Sequence, residues 1–176
     1  MMTHEWDTDW VAALAIGVMA CIIDLRARRI PNVLTLGAAA AGFCYQLWSQ
    51  GASGMLHSAG GWLLGVAIFL PLFLLRGVGG GDVKLMGALG AWLGAGDVFW
   101  VALYAALAGG VMAVIVASWH RRLRTSLGGV LMLLWYWRTK GLKPLPELTL
   151  EASQVPRLAY ALPILAGVVL RMWLPA

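Results

Sequence analysis

Residues 76–95 read Arg-Gly-Val-Gly-Gly-Gly-Asp-Val-Lys-Leu-Met-Gly-Ala-Leu-Gly-Ala-Trp-Leu-Gly-Ala, and this stretch places an acid directly before an apolar run. Glycine accepts positive φ values and lets another backbone approach closely, so Gly79, Gly80 and Gly81 suit a turn into a crowded helix. If the run lies in a membrane, the carboxylate of Asp82 costs roughly 2.5–3.5 kcal/mol, and such a residue indicates a functional site. A structural role is the alternative, because Asp is also a favoured N-cap of helices.

The composition decides the class of protein. Of the 176 residues, 61% are hydrophobic and 12% are charged, whereas soluble domains carry roughly 25% charged residues. We therefore predict an all-α, polytopic integral membrane helix bundle. The length suits a single membrane-embedded domain covering residues 1–176, without a second soluble domain.

The apolar runs predict about six transmembrane helices. They cover residues 10–23, 33–48, 59–75, 83–95, 98–119 and 158–174. Residues 49–58 are expected to form a linker, and Gly96-Asp97 is expected to form a tight turn. Small residues recur at helical spacing in the fourth run, which predicts close packing against a neighbouring helix.

Two of these runs are short, and their length bears on the position of two acids. A helix needs about 20 residues to cross the hydrocarbon core, and the runs at residues 10–23 and 83–95 fall below this length. The flanking residues Asp24 and Asp82 are therefore expected at the membrane boundary or slightly inside it.

The basic residues predict the orientation of the chain. Residues 24–32, 76–84 and 120–157 hold three, two and seven of the 13 Lys and Arg residues, and cytoplasmic segments are enriched in these residue types. We expect these linkers, including a basic loop at about 120–157, in the cytoplasm and both termini outside. Asp24 and Asp82 then share the cytoplasmic level. Because the positive charge follows topology, nucleic-acid binding is not expected.

Two carboxyl groups held close together support one kind of hydrolysis. Such a pair holds a single proton near neutral pH, because both groups cannot ionise easily. One Asp then takes a proton from water, while the other donates its proton to a scissile carbonyl oxygen. On this hypothesis Asp24 and Asp82 are catalytic.

The neighbouring residues have predicted roles in the same hypothesis. Gly79–Gly81 clear the approach of an extended substrate. Lys84 holds its neighbour Asp82 ionised or pairs with a phospholipid, and a lysine that snorkels to the membrane interface is an equal alternative.

Other site chemistries find little support in the sequence. His4, His57 and His120 lie in different linkers, and no HExxH zinc motif is present. Cys21 and Cys44 lie inside apolar runs without a CxxC motif, so they predict buried thiols and neither a metal site nor a disulfide.

Two functions from other classes remain open on the residues alone. Intramembrane acids also mark proton relays, so a small proton-coupled transporter is the main alternative. It would favour acids near the midplane together with internal repeats. A non-catalytic assembly subunit is the third option, in which Asp24→Asn and Asp82→Asn variants still fold and support assembly.

Taken together, the residues resemble a known family. Gly79–Asp82 matches a GxGD signature, and Asp24 followed by a basic segment ending in Ile30-Pro31-Asn32 resembles a second half-site. Residues 156–163 are similar to a proline-containing segment near the end of the same family. On these features the chain resembles the type IV prepilin peptidases, which are GxGD aspartic proteases of the bacterial inner membrane.

The resemblance implies a multi-pass peptidase with periplasmic termini and an active site that faces the cytoplasm. It implies Asp24 and Asp82 as the catalytic pair, with prepilin or pseudopilin precursors and the lipid bilayer as partners. Larger members carry paired CxxC motifs and also methylate the new N-terminus, whereas the first linker here is residues 24–32 and lacks cysteine. We therefore expect a short member of the Flp/Tad type, without methyltransferase activity, S-adenosylmethionine, other cofactors or metals.

Overall fold

The computed structural model describes residues 8–75, 77–119 and 160–174, and every element in these ranges is an α-helix. The helices are α1 at Thr8–Ala27, α2 at Asn32–Leu74, α3 at Gly80–Trp119 and α4 at Ala161–Trp173. The predicted all-α class is thereby confirmed. Arg76 and the basic loop predicted at about 120–157 lie outside the described residues.

Most of the described chain is long, apolar helix. The helices with the length and hydropathy to cross a membrane are Thr8–Ala27, Asn32–Leu74 and Gly80–Val116, and α4 is a shorter apolar helix of 13 residues. Large apolar side chains lie on the outer surface, such as Val33 at 85% exposed and Trp48 at 91%. Such a surface suits lipid better than water, in agreement with the predicted membrane helix bundle.

Two glycines divide the long helices into arms. Gly51 has φ 63° and ψ −141° within α2, and Gly94 has φ 77° and ψ 177° within α3. This part of φ/ψ space is nearly restricted to glycine, because a Cβ would collide with the backbone. The helices therefore consist of four arms, residues 32–50, 52–74, 80–93 and 95–119.

One of the two breaks lies inside a predicted connection, and the other does not. The expected linker at residues 49–58 is helical except at Gly51, and the expected turn at Gly96-Asp97 lies within the arm 95–119. The predicted turn at Gly96-Asp97 is wrong, whereas the predicted linker contains the break at Gly51 but is otherwise helical. The chain changes direction where a single residue adopts a conformation that is open to glycine.

Arm 80–93 forms the centre of the bundle and is buried along most of its length. It lies between the two arms of α2, because Gly42 contacts Trp92 on one side and Gly61 contacts Gly90 on another. A Cβ on Gly61 would overlap the carbonyl oxygen of Gly90, so this approach requires glycine. The predicted close packing of the fourth apolar run is thereby confirmed.

α4 packs against both the arm 95–119 and α1. Near its end, Arg171 forms a salt bridge with Asp97 at the start of that arm, with 2.8 Å between Nη2 and Oδ1. At its start, the backbone of Ala161 contacts the carboxylate of Asp24. α4 therefore connects the two ends of the bundle.

The two ends differ in the polar groups that they bury. The acid end holds Asp24 near the end of α1, Asp82 near the start of α3, and the start of α4. The amide end holds Gln46, Ser58 and the break at Gly94. α1 and arm 80–93 both connect these ends, and they run in opposite directions.

Candidate active site

Asp24 lies in the last turn of α1 and is buried, with 9% of its surface exposed. The backbone N–H of Ala161, the first residue of α4, donates a hydrogen bond to its carboxylate. The N–H groups at the start of a helix lack helical partners and favour a negatively charged one. α4 thus supplies a contact that holds Asp24 at the acid end.

α1 ends beside this acid in a left-handed residue. Arg28 has φ 51°, and its N–H donates to the carbonyl oxygen of Asp24 at 2.8 Å. This conformation is a common end of helices and is usually adopted by glycine. It turns the chain toward the start of α2 through the short connection 28–31, and backbone strain of this kind often accompanies functional sites.

Asp82 lies in the first turn of α3 and is 7% exposed. Its Oδ2 accepts a hydrogen bond from the N–H of Gly79 at 3.0 Å, and its own N–H donates to the carbonyl of Gly79 at 3.1 Å. This reciprocal pair resembles a capping box, in which the third helical residue binds back to the cap. The alternative of Asp82 as the N-cap is therefore wrong in detail, because Gly79 holds that position.

The fold brings the two acids into one site. The carboxyl groups of Asp24 and Asp82 lie within electrostatic range of one another, although they belong to different helices. The phenol of Tyr160 lies in the field of Asp82, and the thiol of Cys21 lies in the field of Asp24. Tyr160 also packs edge to face on Phe69, with ring centroids 6.0 Å apart. A buried pair of acids of this kind is suited to activating water.

Sequence reasoning missed the contribution of α4 to this site. Tyr160 and Ala161 belong to residues 156–163, which resemble a segment near the end of a known family, and that resemblance was the signal that could have found them. Their contacts with the acids depend on how α4 packs, so spacing along the chain gave no direct indication.

The three glycines before Asp82 allow neighbouring side chains to approach the backbone closely, and they do not form an unusual turn. None of Gly79–Gly81 has positive φ, so the turn into α3 does not use that conformation. A Cβ on Gly81 would lie 3.1 Å from the Cβ of Ile30, and one on Gly80 would lie 3.3 Å from the ring of Phe73. The glycines thus let the start of α3 pack against the connection 28–31 and the end of α2. Their predicted role in substrate approach stays a prediction.

Lys84 is exposed and binds a neighbouring helix. Its Nζ donates to Oδ1 of Asn32 at 2.8 Å, which joins the starts of α2 and α3. The predicted roles of Lys84 toward Asp82 or toward a lipid stay predictions.

Gln46 was not singled out from the sequence, although it is fully buried in the second predicted span. Its Nε2 donates to Oδ2 of Asp9 at 3.2 Å and to the carbonyl of Trp92 at 3.1 Å, and its Oε1 accepts from Gln50 at 2.9 Å. One side chain at the amide end therefore contacts α1, α2 and α3. An amide inside an apolar run was the signal that could have found it.

Ser58 was also missed, because it lies in the predicted linker. It is fully buried, and its Oγ donates to the carbonyl of Ala91 at 2.6 Å. Gln46 and Ser58 come from the two arms of α2, and they bind consecutive residues of α3.

Both cysteines are free; Cys21 is buried as predicted, whereas Cys44 is exposed. The predicted burial of Cys44 is wrong because its position on arm 32–50 faces outward. Within residues 8–75, 77–119 and 160–174, no group of three or more His, Cys, Asp or Glu side chains could hold a metal ion.

Comparison with known proteins identifies relatives of this chain. The profile of the type IV leader peptidase family matches residues 11–114, a range that includes Asp24, Asp82 and both buried residues of the amide end. Two proteins from Burkholderia pseudomallei, strains 1026b and K96243, are each 38% identical to the chain over 124 residues. Each is named prepilin leader peptidase/N-methyltransferase, and the match covers 64% of this chain and 40% of the relative. No solved structure matches significantly.

Proposed function

The chain belongs to the type IV leader peptidase family, and from that premise we propose that it is a membrane aspartic endopeptidase. Its substrates are the precursors of type IV pilins or pseudopilins, those of Flp-type pili in particular, from which it removes the leader peptide. The observation that carries the proposal is the burial of Asp24 and Asp82, from two different helices, in one site at the acid end.

The reaction uses the proton that the two acids share. The ionised Asp takes a proton from a water molecule, whose oxygen adds to the scissile carbonyl carbon, while the protonated Asp gives its proton to the carbonyl oxygen. The tetrahedral centre then collapses and the carbon–nitrogen bond breaks: the Asp that took the proton from water gives it to the leaving nitrogen, and a hydroxyl of the tetrahedral centre returns a proton to the other Asp. No covalent intermediate with the protein forms. The N–H groups of Ala161 and Gly79 hold the two carboxyl groups in place during these steps.

The acid end faces the cytoplasm in this proposal, and the six helical segments act as six spans with periplasmic termini. Four of the described basic residues lie at the acid end: Arg26, Arg28, Arg29 and Lys84. At the other end Arg171 is paired with an aspartate. This distribution follows the positive-inside rule, and it supports a site that meets the junction between a basic leader and an apolar helix at the inner-membrane surface.

Methylation of the new N-terminus is not part of the proposal. The chain spans about 40% of the length of the curated relatives whose names include N-methyltransferase. The connection between α1 and α2 consists of residues 28–31 alone, and it contains no cysteine.

The test is cleavage of a co-expressed pilin precursor, followed by a gel shift at matched membrane levels of enzyme. We expect a shift with the wild type and none with Asp24→Asn or Asp82→Asn, because loss of one acid removes either the base or the proton donor. Asp97→Asn is the matched control, since this acid lies at the amide end, and it should cleave. Full cleavage by Asp82→Asn would refute the mechanism and leave Asp82 as part of a helix cap.

A further inference from the structure

We propose that Gln46 and Ser58 are positioning residues of the peptidase, which fix Asp82 relative to Asp24 from the opposite end of the bundle. The activity measurement below rests on the proposed function. The physical argument rests on the contacts of Gln46 and Ser58 at the amide end.

The break at Gly94 creates the need for these residues. In an uninterrupted helix the carbonyl oxygens of Ala91 and Trp92 accept hydrogen bonds from the N–H groups four residues later, which lie beyond the break. A buried carbonyl without a partner is costly in an apolar environment. Ser58 Oγ at 2.6 Å and Gln46 Nε2 at 3.1 Å supply the replacement donors.

Gln46 also joins the two helices that carry the acids. Its Nε2 binds Asp9 near the start of α1 and Trp92 near the end of arm 80–93. At 1.5 Å per residue, these contacts lie about 22 Å from Asp24 and about 15 Å from Asp82 along the respective helices. Both acids are thus at the far ends of two rigid helices that pack on one another and that one amide also joins by hydrogen bonds.

This bond links two helices that otherwise touch little. α1 and α2 are consecutive in the chain, yet few of their residues touch, so the Gln46–Asp9 bond adds a directional link to the apolar packing of α1 on α3 and α4. Gln46 and Ser58 have no exposed surface, and water therefore does not substitute for their donors. Without them, arm 80–93 shifts or rotates to satisfy its carbonyl groups, and Asp82 moves with it.

The decisive variant is Gln46→Met, which keeps an unbranched side chain and removes both donated bonds. We expect kcat for precursor cleavage to fall about tenfold, because small displacements of reacting groups have large effects on rate. KM should stay within about twofold, since the substrate meets the acid end. Gln50→Met is the matched comparison: it leaves both bonds that Gln46 donates in place and removes only a bond within α2, so kcat should fall less than about threefold. An unchanged kcat in Gln46→Met, or a loss expressed in KM alone, would overturn the proposal.

A second variant covers the case in which Gln46→Met fails to accumulate. Ser58→Ala removes a single donor and should lower kcat about threefold, whereas Ser53→Ala, an exposed serine bonded within its own helix, should leave it unchanged. Equal activities of these two serine variants would overturn the proposal.

A cross-linking measurement separates the inference from the proposed function. Asp24→Cys and Asp82→Cys are introduced together, with Cys21 and Cys44 replaced by alanine, and a short bifunctional thiol reagent is added to membranes. The cross-linking rate should fall at least about threefold when Gln46→Met is added. An unchanged rate would refute the positioning role even if the wild type cleaves precursors. A fallen rate with an inactive wild type would refute only the peptidase assignment.

Discussion

The acid end and the amide end both bury polar side chains among apolar helices. The two ends differ in how many of the possible hydrogen bonds these side chains make. At the amide end Gln46 uses three of its four hydrogen-bonding positions, and Ser58 donates its proton. At the acid end, among the described residues, Asp24 and Asp82 each receive a single backbone N–H bond. A carboxylate has about four acceptor sites, so most of these sites on Asp24 and Asp82 take no hydrogen bond from the described residues.

This difference separates structural polar groups from groups available for chemistry. A polar network with its bonds made specifies one arrangement of the helices around it. An acid pair with open acceptor sites can bind a water molecule and a peptide carbonyl. Burying a charge in an apolar bundle costs free energy, and ionisable residues kept at such positions usually have a function. In the proposed arrangement the amide end, where Gln46 and Ser58 are largely hydrogen-bonded, holds in place the acid end, where the carboxyl groups have open acceptor sites.

The largest expected effect tests whether the two acids act as a unit. Asp24→Asn and Asp82→Asn should each lower kcat/KM about 10²–10⁴-fold, and the double variant should be no worse than the poorer single variant, because either change already removes the shared-proton mechanism. Purified enzymes with a synthetic precursor peptide would provide the rates. Additive losses would mean that the two acids contribute separately.

An intermediate effect tests the break that defines the amide end. Gly94→Ala should destabilise the protein by about 1–3 kcal/mol, since position 94 has a φ/ψ combination nearly restricted to glycine and a Cβ there would meet the ring of His57. Gly96→Ala, two residues later, has no atom nearby and should stabilise the arm by up to about 1 kcal/mol. Thermal unfolding in detergent would measure both. Equal midpoints would indicate that the helix is continuous through residue 94.

The smallest effect concerns Lys84, which lies at the acid end and whose side chain binds Asn32. The exposed bond from Lys84 to Asn32 should contribute about 0.2–1 kcal/mol, as exposed charged contacts usually do. A double-mutant cycle of Lys84→Ala and Asn32→Ala would measure this coupling, and cleavage should stay within about threefold of the wild type. If Lys84→Ala were as inactive as Asp82→Asn, the lysine would belong to the chemistry.

Much of the architecture could be predicted from the sequence, but its boundaries could not. Apolar runs and a low content of charge predicted an all-helical membrane bundle. Both properties can be read from the residue types alone, without knowledge of contacts in space. The break at Gly51 lies inside the predicted linker, but Gly51 itself was not identified, and the break at Gly94 was placed two residues late. The chain has 22 glycines, and their neighbours in space decide which of them adopt positive φ.

The candidate site divides in the same way. Asp24 and Asp82 stood out because each is an acid at the end of a short apolar run. Gln46, Ser58, Tyr160 and Ala161 did not, because a single amide, hydroxyl or backbone N–H becomes informative only when its partner is known.

The sequence by itself determined that the protein is helical and apolar, and that its two acids lie at helix ends, because run length and residue type are local properties. Only the tertiary structure decided that α4 supplies a donor to Asp24, that Gly79 binds back to Asp82, and that Gln46 joins the remote ends of the two acid-bearing helices. Each of those contacts depends on a partner brought close by the turns and breaks of the chain, and the energy of such a contact is set by distance in space.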